Sequence, residues 1–335
     1  MNTRKNKAIL LGLGAALVAA VFLSMLLGRY PISFREFIGI LAAKIMPIDP
    51  FWSVTQASLL LNHRLPRVIL SCLVGCCLSA AGAAYQGVFQ NPMAAPDLLG
   101  ASSGAAFGAA LAILLGAGSP LIVAFSFVGS LLTVGTVVYL GSRSRSARSL
   151  GLILAGVLLG SLVSSGTSFI KLVADPEDQL PAITYWLMGS LNGTSPDTLK
   201  FAFSPMLIGL VPLLLLRWRI NVLTLGDEEA QTIGIHARRL RLIVILCATL
   251  ITAASVAVSG VIGWIGLVVP HMARKLVGND YRHLMPAAML LGAVLLLFVD
   301  SLSRTLLSTE IPLGILTALL GIPFFILLAK EGRQI

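Results

Sequence analysis

Arg217–Arg241, RWRINVLTLGDEEAQTIGIHARRLR, is the longest polar segment in a chain of 335 residues that is 57% hydrophobic. Arginines bracket it: Arg217 and Arg219 before, Arg238, Arg239 and Arg241 after. Inside lies an acidic turn, Gly226-Asp227-Glu228-Glu229, and then a second glycine, Gly234. The two glycines predict two short helical pieces, each a few turns long. A connection between membrane spans needs only a handful of residues, so this one carries structure of its own.

The composition around it sets the class. Only 11% of residues are charged and mean hydropathy is +0.93. Uncharged runs of spanning length recur, which predicts an all-α polytopic membrane protein. The whole chain, 1–335, reads as one transmembrane domain, with 217–241 as a loop within it and no room for a soluble domain. A net charge of +10 would suggest nucleic acid for a soluble protein. Here it reads as basic loops fixing orientation at an anionic bilayer, with no nucleic-acid partner. Cys72, Cys76, Cys77 and Cys247 all fall in apolar runs and read as small core residues rather than disulfides or ligands.

In both directions from the polar segment the chain divides into about ten spans. Ala8–Leu27 follows Arg4, Lys5 and Lys7 and is longer than a signal-peptide core, so it is expected to be retained. Residues 28–63 predict a short amphipathic hairpin, and a second span starts at Arg64-Leu-Pro-Arg67, where Pro66 suits a first turn. Leu98–Ser142 contains no charge and is long enough for two spans, divided at Gly116-Ala-Gly-Ser-Pro120. A basic loop, Ser142–Ser149, leads to a fifth span ending near Leu172, and Tyr185-Trp186 suggests an interfacial helix. A sixth span runs from about Leu199 to Leu216. Beyond the polar segment, Leu242–Ala273 predicts one span and a shorter helix, broken by Gly260, Gly263 and Gly266. Spans at Leu284–Ser303 and Ile311–Ala329 complete the count.

Ten spans put both termini on one side, together with about two thirds of the 24 Lys and Arg. The termini and residues 217–241 are therefore expected in the cytoplasm. Gly82, Pro92 and Gly100 share their spacing with Gly260, Pro270 and Gly278, the kind of echo that internal transporter repeats produce.

The stretch RLPRVILSCLVGCCLSAAGAAYQGVFQNPMAAPDLLGASSGA resembles the second and third spans of the ATP-binding-cassette permeases that import ferric siderophores, haem and cobalamin. LTLGDEEAQTIGI, SGVIGWIGLVVPHMARKLVG and EIPLGILTALLGIPFF resemble the same family, in order, over nearly the whole chain. The resemblance implies a permease subunit in the inner membrane of a prokaryote, moving an iron chelate inward, with cobalamin, haem or another metal complex as alternative cargo. It implies two ATP-binding subunits that hold ATP and Mg, an extracytoplasmic binding protein, and a second permease subunit, identical or related. It places Asp227, Glu228, Glu229, Ala230 and Gly234 in coupling helices gripped by the ATPase; the plainer reading is a solvated loop. It gives Arg64, Arg67 and Arg304 a role in docking the binding protein, against snorkelling to the headgroups. Arg64 and Arg67 are i, i+3, and Asp300 lies i, i+4 from Arg304, where it can hold it. It puts Asn91, Met93 and Ser149 at a cytoplasmic gate. Gly156, Gly160, Ser164 and Ser168 form a small-residue stripe that either lines the pathway or lets a neighbouring helix pack close.

The chain has no G-x-x-x-x-G-K-[ST] phosphate loop, so it is not expected to be its own ATPase or to carry a cofactor. The spans lack the His, carboxylate and thiolate clusters that would hold a bare metal ion. An ion-driven secondary transporter remains the alternative of another class, and it requires a mid-membrane ionisable residue, for which Asp300 is the candidate. A membrane enzyme finds no nucleophile–base constellation.

Overall fold

The computed structural model describes the backbone of residues 3–28, 30, 32–47, 49–142 and 148–331, and the side chains within these except at 3, 142, 148, 149, 227, 228, 324, 325 and 327–331. Every element is helical among them. The chain begins with α1 (Thr3–Leu26) and two short helices, α2 (Phe34–Ala42) and α3 (Val54–Ser58). The long α4 (Leu65–Val88) leads through a 3₁₀ turn at Pro96–Leu99 to α5 (Ala101–Leu114), α6 (Ser119–Ser142) and α7 (Arg148–Val173). The short α8 (Gln179–Leu187), α9 (Pro196–Leu223) and the six-residue α10 (Asp227–Thr232) follow. The chain closes with α11 (Ala237–Ser259), α12 (Ile265–Val277), α13 (Tyr281–Thr305) and α14 (Leu313–Glu331).

Among the described residues, seven helical stretches are long and apolar enough to cross a bilayer: α1, α3 to α4, α6, α7, α9, α11 and α13. At a rise of about 1.5 Å per residue, α5 and α12 reach only about 20 Å, short of a hydrocarbon core of about 30 Å. Three helices, α4, α11 and α13, are mostly buried and make the centre, while α1, α6, α7 and α9 leave most of their apolar surface uncovered. On α9, Ile208, Val211, Leu215 and Trp218 are exposed at helical spacing, a stripe suited to acyl chains and ending in an interfacial tryptophan.

Helices in lipid gain little from hydrophobic burial and associate by close packing. The central helices do so at glycine. Gly75 of α4 lies on the Gly292 carbonyl of α13, and Gly82 lies on the Gly266 carbonyl of α12, where a Cβ would overlap backbone. The 74–84 face of α4 is accordingly small: Val74, Cys77, Ala80, Ala81, Ala83 and Ala84 are all fully buried. Cys77 is among these core residues and all four cysteines are free thiols, which fits their apolar setting.

Several boundaries differ from the sequence expectation. The second span does not start at Arg64. Helix runs unbroken from Val54 to Val88, and its turn at Leu59–Arg64 is a π-helix, with the Leu65 N–H donating to Leu60 O. Pro66 explains the widening: it has no N–H for the regular bond and its ring crowds the preceding turn, which a wider turn relieves. The expected 28–63 hairpin is instead two capped helical pieces. Ser33 and Glu36 form a reciprocal capping box on α2, and the Ser33 N–H holds the Glu36 carboxyl below its usual range. The sixth span extends to Leu223, so Arg217 and Arg219 belong to its last turns, while Arg238, Arg239 and Arg241 open α11. The polar segment proper holds one short helix, not two. The glycine–proline echo survives only at its third member: Gly82 is mid-helix where Gly260 ends one and Pro92 lies in a turn where Pro270 is inside α12, while Gly100 and Gly278 each end a helical element, at φ 75° and 80°.

Candidate functional site

α4 and α13 run antiparallel, so each carries one end of the molecule to the other, about 36 Å apart for a helix of α4's length. At one end sit the three arginines expected to face outward, all turned inward. Arg67 donates from Nε to Asp300 Oδ1 at 2.9 Å, and from Nη1 and Nη2 to the two Glu310 carboxylate oxygens, each at 2.9 Å. Arg304 pairs through Nε with Asp300 Oδ2 at 3.1 Å and donates to Ser24 Oγ at 2.7 Å. Arg64 donates to the Met25 and Tyr30 carbonyls at 2.9 and 2.5 Å, where the end of α1 leaves acceptors open. Their exposures of 5, 9 and 8% for Arg64, Arg67 and Arg304 require such partners, because an unpaired buried charge costs several kcal/mol. The i, i+4 hold of Asp300 on Arg304 is present. Glu310 was not singled out from sequence, although it opens the EIPLG stretch; nothing local marks it as the partner of a residue 243 positions away.

At the opposite end lies α10. Gly226 precedes it at φ 125° and Gly234 follows it at φ 79°, so both glycines serve conformations that other residues adopt at a cost. Ala230 is fully buried and its carbonyl accepts from the Ile235 N–H, folding the segment back on itself, while Glu229 is exposed. The Asp227 and Glu228 side chains lie outside the described residues.

Beside α10 the end of α4 is tied down by a network that the sequence did not suggest. Gln90, at φ 50°, donates from Nε2 to Leu223 O at 2.8 Å, joining the α4 exit to the last turn of α9. Asn221 donates to Asp280 Oδ1 at 2.7 Å and accepts from the Tyr281 N–H at 2.8 Å, and Tyr281 donates to Ala83 O at 3.0 Å. Arg274 of α12 donates to Gln86 Oε1 at 2.5 Å. Partial burial raises the Asp280 carboxyl's pKa, but the Arg282 N–H, the Asn221 amide and the neighbouring His283 and Arg282 side chains outweigh it, and the net shift is downward. The gate candidates follow Gln90 directly. Asn91 and Met93 are exposed, and Asn91 Oδ1 accepts from the Met93 N–H at 2.9 Å, a closed turn. The Ser149 side chain lies outside the described residues.

The small-residue stripe on α7 divides into a buried glycine half and an exposed serine half. Gly156 sits on the Leu98 carbonyl and Gly160 faces Gly100, so the glycine half lets the α5 entrance approach. The serine half is exposed; Ser164 donates to Ser103 Oγ at 3.3 Å and Ser168 to Ser164 O at 3.1 Å.

An all-helical, multi-pass body, with a short capped helix at one end and a buried arginine cluster at the other, is the frame of a transport permease. Residues 16–331 match the model of the FecCD transport family, and the chain belongs to that family, the ABC importer permeases of the FecCD type. It is 39% identical over 336 residues to the molybdate import system permease protein of Haemophilus influenzae, covering 97% of this chain and 96% of that one. It is 38% identical over 342 residues to the hemin transport system permease protein of Yersinia pestis, covering 100% and 99%. A solved structure described as a metal-chelate type ABC transporter in an inward-facing conformation superposes with a TM-score of 0.87 at 36% identity, over 97% of this chain and 99% of that chain.

Proposed function

We propose that this chain is the membrane subunit of an importer that carries an iron chelate inward, driven by two separate ATP-binding subunits and supplied by an extracytoplasmic binding protein. In this reading it works as a pair of permease subunits in the cytoplasmic membrane of a prokaryote. Three shorter segments bring the crossings to ten, with both termini and α10 in the cytoplasm: α14, α5 lengthened by the 3₁₀ turn ahead of it, and α12 lengthened by the non-helical 260–264 stretch ahead of it. α10 is gripped by the ATPase through Glu229 and its acidic neighbours Asp227 and Glu228. Gly234 and buried Ala230 set its angle, Asn91, Met93 and Ser149 close the inner gate, and Ser164 and Ser168 face the pathway.

The observation that carries this reading is the placement of α10 and the arginine cluster at opposite ends of the same two antiparallel helices. A device that receives a stroke on one face and cargo on the other needs that arrangement. The ion-driven alternative is weakened by Asp300, which lies beside two guanidinium groups and is fully buried. A carboxylate so neutralised is poorly placed to carry a proton or a sodium ion.

The relative named for molybdate favours a second cargo, a small oxyanion. Proteoliposomes holding the permease, its ATPase and its binding protein would be given ⁵⁵Fe-loaded chelates, hemin, cobalamin or ⁹⁹Mo-molybdate. ATP-dependent accumulation of the iron chelate is expected. Accumulation of molybdate alone would replace the cargo, and uptake without the ATPase would overturn the class.

A further inference from the structure

The arginine cluster borders a cavity of about 290 Å³ that is lined by His63, Arg64, Arg67, Asn192, Arg304 and Glu310, among others. Its charges are shared unequally. Asp300 is fully buried and serves both Arg67 and Arg304, so it is built into the helix. Glu310 is different: its side chain is 19% exposed and it stands at the end of an exposed run, Thr305–Thr309, between α13 and α14. The next residue is fixed, with the Ile311 N–H donating to Ser303 O at 3.3 Å and Ile311 O accepting from Ser303 Oγ at 2.6 Å. Glu310 is therefore the more accessible carboxylate of the cluster, while Asp300 is closed off.

Both Nη groups of Arg67 are taken by Glu310 in a bidentate fork, the geometry with which arginine recognises any carboxylate. An acidic group arriving from a partner finds that fork occupied. We propose that Glu310 is an internal stand-in for a carboxylate of the docking protein, and that docking exchanges the one for the other on Arg67. This rests on the docking reading above and extends it: the partner presents an Asp or Glu to the cavity, and Glu310 swings out into the exposed 305–309 run. Arg304 and Arg64 stay where Asp300, Ser24 and the α1 carbonyls hold them, so the cavity keeps its positive edge throughout.

The test uses the full permease with its ATPase in nanodiscs and measures the affinity of the cognate binding protein. Glu310→Gln preserves shape and one hydrogen-bond acceptor but gives up the fork. Because an occupied site weakens apparent affinity by the fraction left open, it should tighten docking about tenfold. The gain must need Arg67, so in an Arg67→Gln background Glu310→Gln should change nothing. Arg67→Lys, which keeps the charge without the fork, takes its place if that background does not fold. An equal gain in both backgrounds would mean simple removal of a negative charge, and it overturns the exchange. Unchanged or weaker docking by Glu310→Gln alone overturns it too, with docking at the cluster intact. Docking of the wild type that is indifferent to salt between about 50 and 500 mM would instead sink the docking reading itself.

Discussion

Gly234 shows how a single backbone angle constrains the segment proposed to meet the ATPase. A Cβ placed there meets nothing within 4 Å, yet its φ is 79°. A bulky side chain would therefore fit in space but not in conformation, at a cost of about 1–3 kcal/mol. The body of the protein, packed elsewhere, should absorb that cost by letting α10 tilt. We expect Gly234→Val to insert and fold normally, while uptake per ATP hydrolysed falls about tenfold, since each 1.4 kcal/mol of misplacement is worth that factor. Wild-type uptake in this variant would remove Gly234 from the coupling path. The glycine was readable from sequence because punctuation at a helix end is local. The arginine cluster was not readable in the same way: Arg64 and Arg67 stood out as charges beside apolar runs, but the Met25 and Tyr30 carbonyls that hold the first and the Asp300 and Glu310 carboxylates that hold the second are brought to them by tertiary folding.

Among the helices, the exit of α4 ties the end of α9, just ahead of α10, to the turn that holds the gate candidates Asn91 and Met93. Gln90 holds Leu223 O, the last turn before α10, and the next residue along its own chain is Asn91. Its φ of 50° is costly for glutamine, and the surroundings maintain it. Two variants separate the backbone from the side chain. Gln90→Asn tolerates the left-handed conformation but is too short for the Leu223 carbonyl; Gln90→Ala loses both. If the hydrogen bond transmits motion, both should keep ATP hydrolysis and lose uptake, with a change in stability of only about 1 kcal/mol. Recovery of uptake in Gln90→Asn would assign the effect to backbone strain alone. The long helices were legible from uncharged runs and glycine breaks, as at Gly116–Pro120 and Gly260–Gly266, whereas the short pieces in 28–63 and their number in 217–241 were not. Boundaries were less legible. Pro66 reads as a helix start by the usual rule, but the π-helical turn ahead of it absorbs the missing N–H and the crowding ring and lets the helix begin at Val54.

For the molecule as a whole, orientation decides whether its two ends have the roles assigned to them. The asymmetry of Lys and Arg predicts α10 inside, and geometry adds that the start of α1 lies at the same end, where Asn6 donates to Val277 O at 3.1 Å. The end of α1 lies opposite, at Arg304 and Ser24. Fixing the side of any one of these fixes the rest, because α4 and α13 are packed too closely through Gly75 and Gly292 to cross independently. Single cysteines at Glu229 and Asn192, both exposed, would report this in a background lacking the four native thiols. A membrane-impermeant maleimide added to intact cells or spheroplasts should modify the Asn192 cysteine and spare the Glu229 cysteine, and opening the membrane should expose the second. The reverse pattern would put α10 outside, beyond the reach of any cytoplasmic ATPase. A protein with these helices would then need another source of energy, and the arginine cluster, now inside, would have no extracytoplasmic partner to receive.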